Sequence, residues 1–317
     1  MKVVVLERNS VGEDIDITPL GQFGELVCYP VTDATTVAER TKDADIVVVN
    51  KAPISKEVLE GAPSLKMVAE FATGFDNIDI AACKEKGVAV ANVSGYSTDS
   101  VAQHTIAMAL SLIEQLSWYD DYVKSGTYAS QPRFSNFDKA YDELSSLTWG
   151  IIGMGAIGKR VAGIAKAFGC KVIFHSVTGK STVTEYEQVS FDEMLAQSDI
   201  LSLHCPLSDL TRHMMNADAF SKMKKSAVLI NVARGAVVDT QALYEALRDN
   251  KIAGAGLDVY EKEPMVPDNP LLTLKGANLI MTPHMAWGST QARQRLVQET
   301  CDNIRSFLGG SERNRIV

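Results

Sequence analysis

The stretch TWGIIGMGAIGKRVAGIAKAFG, residues 148–169, constrains this chain more than any other. An apolar run ends in GMGAIG, with glycines at Gly153, Gly155 and Gly158, and a helical pattern follows. Such a turn needs a strand entering and a helix leaving. Gly153 makes the tight turn, Gly155 leaves the backbone bare for a pyrophosphate, and Gly158 lets the helix pack closely on the strand. The helix then opens at Ala156 and Ile157 with unpaired amides and a positive dipole end facing an anion. Three glycines alone could be an ordinary tight turn. Here the strand before, the amphipathic helix after and the further strand KVIFHS supply the context for a dinucleotide site.

The pattern around this turn alternates. Apolar runs at 149–152, 171–174, 200–204, 228–232, 254–259 and 278–281 are separated by helical stretches at 156–168, 191–197 and 240–250. Six strands with crossover helices fit one doubly wound parallel sheet of Rossmann type. Upstream, β-branched runs at 3–6, 46–49, 66–69 and 88–91 alternate with helical stretches at 34–44 and 78–86, which predicts a second, smaller, flavodoxin-like parallel-sheet domain. A long helix from about Asp99 carries the chain between them, and a last helix is expected over 290–308. The fold class is therefore α/β with two domains. The smaller is expected to comprise 1–98 plus 287–317 where the last helix returns to it, a step that periodicity alone leaves open, and the dinucleotide-binding domain 99–286.

Composition removes other classes. A net charge of −8 and a pI near 5.2 are wrong for a phosphate-binding face, so no nucleic-acid partner is expected. No apolar run reaches the ~20 residues that span a bilayer, so no membrane partner is expected either. Five cysteines scattered singly predict free thiols in a reducing, cytoplasmic setting. The histidines His104, His175, His204 and His213 lack ligand spacing, so no metal is expected.

Coenzyme choice stays open in the residues. The strand after the glycine turn should end on an acid that binds the adenosine ribose, yet this chain reads His175, Ser176, Val177, Thr178, Gly179, Lys180. The missing carboxylate permits NADP, with Ser176, Thr178 and Lys180 as phosphate contacts. The missing arginine leaves NAD through hydroxyl contacts at Ser176.

Ligands of open parallel sheets bind beyond the carboxyl ends of the strands. Reading each strand to its end gives Cys205 and Pro206, then Val232, Ala233 and Arg234, then Asp258, then Pro283 and His284. Arg234 stands between apolar stretches, where a salt bridge or a carboxylate ligand would satisfy its fork. Glu263 precedes Pro264 and reads either as a solvated loop acid or as a partner for a neighbouring imidazole. His284 is either a satisfied structural residue or a proton donor at neutral pH.

Arg234 in NVARG, Glu263 in EKEP and His284 in TPH stand 29 (263 minus 234) and 21 (284 minus 263) residues apart. With GMGAIGKRVAGIAKAFG and GLDVYEKEP, this set resembles the D-isomer-specific 2-hydroxyacid dehydrogenases over nearly the whole chain. SVAQHT at 100–105, TPHMAW, ARQRL and NIRSFL are most similar to the glycerate dehydrogenase or hydroxypyruvate reductase branch. The resemblance implies NAD or NADP as cofactor, held by Gly153, Gly155, Ala156, Ile157, Gly158, Ser176, Cys205, Pro206, Thr211, Val232, Ala233 and Asp258. Asp258 would accept from the nicotinamide carboxamide. It implies a substrate carboxylate met by Arg234 and by the backbone N–H groups of Thr73 and Gly74 in ATGFDNID. Lys51 would add charge there, or is an ordinary surface lysine. His284 would protonate the nascent alkoxide, with Glu263 favouring the charged ring and fixing its orientation. The implied reaction is reduction of a small 2-keto acid, hydroxypyruvate or glyoxylate, to the D-2-hydroxy acid and its reverse. D-3-phosphoglycerate or D-lactate-type dehydrogenases, and a dinucleotide-sensing corepressor, are the rival readings.

Eight aromatics fall between Ser117 and Trp149: Trp118, Tyr119, Tyr122, Tyr128, Phe134, Phe137, Tyr141 and Trp149. They read either as a loop packed on its own domain or as the core of a homodimer interface.

Overall fold

A computed structural model describes residues 1–276 and 278–317. The chain divides into two compact units, Met1–Ser97 with Trp287–Val317, and Thr98–Ala286.

In the first unit five strands, β1 (Lys2–Val5), β2 (Glu25–Cys28), β3 (Ile46–Val49), β4 (Met67–Glu70) and β5 (Ala89–Ala91), form a parallel sheet in the order β2-β1-β3-β4-β5. Strand alternation sorts their side chains onto two buried faces. Val4, Val47, Val68 and Val90 lie in register on one, where α1 (Val37–Thr41), α2 (Lys56–Glu60) and α3 (Ile80–Lys86) contribute Val37, Val58, Leu59 and Cys83. Val3, Val5, Ile46, Val48 and Met67 face the other way, against Leu296, Val297, Cys301 and Ile304 of the C-terminal helix Thr290–Leu308, α10 in chain order. The sheet order reverses between β1 and β3, so the loops after these strands and β4 gather at one carboxyl edge.

The second unit opens with α4 (Thr98–Ile113) and α5 (Leu116–Lys124). Its sheet then comprises β6 (Thr148–Ile152), β7 (Lys171–His175), β8 (Glu187–Gln188), β9 (Ile200–Leu203), β10 (Val228–Asn231), β11 (Gly254–Leu257) and β12 (Leu279–Met281). All seven are parallel, in the order β12-β11-β10-β9-β6-β7-β8. α4 and α6 (Ala156–Ala167) cover one face through Ile106, Leu112, Val161 and Ala165, against Trp149, Ile151, Phe174 and Ile230. α7 (Phe191–Gln197), α8 (Ala217–Lys222) and α9 (Thr240–Arg248) cover the other. The reversal point lies between β6 and β9, beside the glycine turn. Among the described residues no helix is long and apolar enough to cross a membrane.

The α/β class, the parallel sheets and most elements agree with the sequence reading, and the differences have local causes. β2, α2, α5, β8 and α8 were not anticipated: four of them are runs of two to six residues that carry too little period to register, and the fifth, α5 in the aromatic segment, buries no residue and so shows no apolar face. The helix expected at 34–44 contracts to Val37–Thr41. The Asp33 carboxylate accepts from the amides of Thr35 and Thr36 at 2.9 and 3.1 Å, and the resulting turn replaces the first helical residues. β10 stops before Val232, because the Asn231 side chain turns the chain at Ala233.

Gly150 sits mid-strand in β6. A Cβ there would fall 2.0 Å from Ser198 Oγ and 2.4 Å from Met194 Sδ, both fully buried. Gly150→Ala is therefore expected to cost about 1–3 kcal/mol of stability, as overpacking does. Urea unfolding should show a lower midpoint with an unchanged slope.

Candidate active site

The glycine turn is built as its spacing demands. Gly153 has φ 94°, and a Cβ there would stand 2.7 Å from the carbonyl carbon of His204 and 2.8 Å from Cys205 N. A Cβ on Gly158 would meet Gly153 O at 2.2 Å, so α6 can approach β6 only with glycine at this position. Gly155 faces open space, with nothing within 4 Å of its would-be Cβ. The first bond back along the helix is Lys159 N to Gly155 O at 2.9 Å, which leaves the amides of Ala156, Ile157 and Gly158 without a helical acceptor. An open cradle with three such amides fits a dinucleotide pyrophosphate.

The other cofactor-side residues follow from the strand ends. After β7 the chain turns through Ser176, with Gly179 N donating to Ser176 O at 3.0 Å; no carboxylate stands between His175 and Lys180. At the end of β9, Cys205 is buried, and burial pushes its thiol up to about 11, which makes it a packing residue rather than a nucleophile. Pro206 is exposed. Thr211 Oγ1 donates to Pro206 O at 2.7 Å and accepts from Ser208 N at 2.8 Å, which closes the 206–211 turn.

β10, β11 and β12 are neighbours, so the loops leaving them are neighbours too. After β10 the buried Asn231 side chain accepts from Ala233 N at 3.1 Å and donates to Arg234 O at 3.0 Å, which shapes Val232, Ala233 and Arg234 into a turn. Arg234 is half-buried, with Nη1 donating to Ala233 O at 2.9 Å. Gly235 must be glycine, because a Cβ would come within 1.8 Å of the Tyr260 carbonyl carbon. After β11, Asp258 is 1% exposed, and its carboxylate accepts from Thr282 Oγ1 at 2.6 Å, Met285 N at 2.8 Å and Ala286 N at 2.9 Å. His104 Nε2 lies 3.1 Å from Thr282 Oγ1, so the chain of donors runs from His104 through Thr282 to Asp258. The carboxyl group expected at the nicotinamide is thus largely committed to the turn that carries His284.

Glu263 and His284 come together. His284 Nδ1 lies 2.6 Å from Glu263 Oε2, and because a carboxylate only accepts, the ring donates from Nδ1. The other Glu263 oxygen accepts from Tyr260 N at 3.0 Å, which fixes the carboxylate. Nε2 of His284 has no partner among the described residues.

Sequence reasoning missed several supports. Glu261 ties three loops, accepting from Thr240 N at 2.8 Å through one oxygen and lying 3.1 Å from His213 Nε2 through the other. Tyr260 OH donates to Thr282 O at 2.9 Å, and burial pushes its phenol up to about 12, so it stays a donor. The signal for Asn231 was present, a lone amide closing the apolar run VLIN. Glu261 and Tyr260 carry no such mark.

In the smaller unit, Lys51 follows β3 with an exposed side chain, and its amide donates to the Glu7 carboxylate at 3.0 Å. The loop after β4 is pinned where Asn92 Nδ2 donates to Thr73 O at 2.6 Å and Thr73 Oγ1 donates to Val93 O at 2.8 Å. Among the described residues the amides of Thr73 and Gly74 donate to nothing. Trp287 packs edge-on against Tyr96, ring centroids 6.1 Å apart.

Comparison with known proteins agrees with this chemistry. Residues 106–286 match the D-isomer specific 2-hydroxyacid dehydrogenase NAD-binding domain. A hydroxypyruvate reductase of Blautia hydrogenotrophica is 39% identical over 321 aligned residues, 99% of each chain. A D-lactate dehydrogenase of Aquifex aeolicus, solved with NAD and lactic acid, superposes with a TM-score of 0.84 at 35% identity, over 98% of this chain and 96% of its own. An NADPH-dependent glyoxylate/hydroxypyruvate reductase of Sinorhizobium meliloti, solved with NADP and malonate, gives 0.82 at 28% identity, over 97% and 93%. The chain belongs to the D-isomer-specific 2-hydroxyacid dehydrogenase family and is an NAD(P)-dependent oxidoreductase of that family.

Proposed function

We propose that this enzyme reduces a small 2-keto acid, with hydroxypyruvate or glyoxylate favoured, to the D-2-hydroxy acid, and catalyses the reverse. The observation that carries this reading is the Glu263–His284 pair at 2.6 Å, held at the ends of adjacent strands. Glu263 takes the Nδ1 proton as acceptor, fixes the ring and leaves Nε2 to deliver a proton to the substrate oxygen as it becomes an alkoxide. Arg234 holds the substrate carboxylate with its planar fork and polarises the keto group. In the smaller unit, the amides of Thr73 and Gly74 are assigned to the substrate carboxylate, with Lys51 adding positive charge. Asp258 sets His284 in place through the 282–286 turn. The dinucleotide, when bound, supplies the hydride. Gly153, Gly155, Ala156, Ile157 and Gly158 are assigned to its pyrophosphate, Ser176 to its adenosine ribose or 2′-phosphate, and Cys205, Pro206, Thr211, Val232 and Ala233 to its remaining length.

The aromatic segment supports a homodimer. Trp118 stacks on Tyr122 at 5.3 Å, while Phe134 and Phe137 are 91% and 78% exposed, a large apolar surface for a chain on its own. Trp149 does not belong with them, since it is fully buried in β6 with Nε1 donating to Ser202 Oγ at 2.9 Å.

Oxidation of NADH and NADPH should be followed with hydroxypyruvate, glyoxylate, pyruvate and phosphohydroxypyruvate; hydroxypyruvate or glyoxylate should give the highest kcat/KM, and a clear preference for either of the others ends the substrate assignment. His284→Gln should lower kcat roughly a hundredfold or more, as loss of a general acid does, while dinucleotide Kd stays within about twofold. Sedimentation equilibrium at micromolar concentration should return twice the chain mass, and Phe134→Ser with Phe137→Ser should shift it toward the monomer.

A further inference from the structure

Glu70 ends β4 and is fully buried. Strand alternation puts it on the same face as Val68, among the apolar side chains that include Val49, Ala52, Ile54 and Ile78. Its Oε2 accepts from Asn77 Nδ2 at 3.2 Å; its Oε1 is buried with no partner among the described residues. The nearby Glu7 carboxyl group is placed quite differently, accepting from the amides of Asn50, Lys51 and Ala52 at 2.8 to 3.0 Å. An ionised Glu70 would be a buried charge with one of its oxygens unpartnered among the described residues, inside a hydrocarbon wall.

Asn77 links this acid to the loop after β4. Its Nδ2 also donates to Ala52 O at 3.2 Å, and its backbone carbonyl accepts from Ile54 N at 2.9 Å. The start of the same loop is held by Asn50 Nδ2 on Phe71 O at 3.0 Å. Between these pins lie the amides of Thr73 and Gly74.

We propose that Glu70 is a positioning residue, a buried neutral carboxylic acid that holds the 72–77 loop through Asn77 in the shape its amides need to receive a substrate carboxylate. The inference rests on the assignment of those amides made above. Burial is the main cause that pushes Glu70 up to about 9; the hydrogen bond from Asn77 and the charge of Lys51 oppose it, and the charges of Glu7 and Asp76 add to it. These are the groups that face it from the ends of β1 and β3 and from its own loop. The sign of the pH effect follows. Between about 4.5 and 9 the folded chain keeps a proton that the unfolded chain loses, so this group's contribution to stability falls as pH rises and levels off above 9.

Glu70→Gln keeps a neutral group with an acceptor for Asn77, whereas Glu70→Leu keeps burial and removes the acceptor. KM for the keto acid is expected to rise about tenfold in Glu70→Leu, with kcat and dinucleotide Kd within about twofold, and to be restored in Glu70→Gln. The wild type should lose kcat/KM more steeply than Glu70→Gln above pH 9, because only the wild type carries an acid at position 70 that ionises there. Two readouts do not need turnover. The infrared stretch of a protonated carboxyl group at pH 7 should be present in the wild type and missing from Glu70→Gln, and urea stability of the wild type should fall relative to Glu70→Gln between pH 5 and 9. Absence of that stretch, or identical pH profiles in the two proteins, overturns the proposal. If no keto acid is turned over, the functional assignment fails while the infrared and stability results still decide the state of Glu70.

Discussion

The site depends on one buried carboxylate. Asp258 follows β11 directly and turns its oxygens toward the chain leaving β12, where it accepts from Thr282, Met285 and Ala286. A carboxylate at 1% exposure is costly unless nearly all its lone pairs are used, and three donors from a single turn use most of them. The same cost makes the arrangement specific. If the 282–286 turn moved, the charge would be left unsatisfied, so the turn is tied to the strand end. His284 inherits its position from that bond, and Glu263 and Tyr260 then build outward from it.

Much of this was legible in the sequence because strands and glycine turns are local. β3, α7 and α10 stand at the limits that apolar period gives them, and the spacing of Gly153, Gly155 and Gly158 specifies a strand, a turn and a helix. The elements that escaped were short or at edges. The burial of β2 shows no alternation, and β8 is two residues long. In the candidate site, the residues that would touch ligands were easier to find than those that hold them. Arg234 and His284 are lone polar residues after apolar runs. Glu261 lies among other charged loop residues, and its contacts with His213 and Thr240 join positions 48 and 21 residues away in sequence. Glu70 stands just past the apolar run expected at 66–69, and nothing local in VAEFATG distinguishes a buried acid from a solvated one.

The two units use the same physical device at different points. In each, parallel strands reverse their order and leave a gap between the outgoing loops. In the larger unit that gap holds the glycine turn, and backbone close to backbone excludes side chains at Gly153 and Gly158. In the smaller unit it is spanned by a side chain, with Glu7 after β1 capping three amides after β3, while Asn50, Asn77 and Asn92 tie together the loops after β3, β4 and β5. Bare backbone suits a pyrophosphate, which needs several amides at once. A loop pinned by amide side chains suits a small carboxylate, which needs two amides aimed well.

His284 itself shows what this construction has to overcome. Its φ of 53° lies in the left-handed region, which costs a residue with a Cβ roughly 1 kcal/mol relative to ordinary backbone. Its amide meets Asp258 O at 2.8 Å and Thr282 O at 3.1 Å, and the following amides go to the Asp258 carboxylate. These bonds exceed the strain, so the backbone that carries the ring is held in one conformation. The 2.6 Å contact with Glu263 then fixes which nitrogen is committed and which is open. In the role proposed for it, a proton donor arranged this way would not have to reorganise as charge develops on the substrate oxygen, and such a standing arrangement, rather than the residue type, is what would separate a proton-donating histidine from a merely satisfied one.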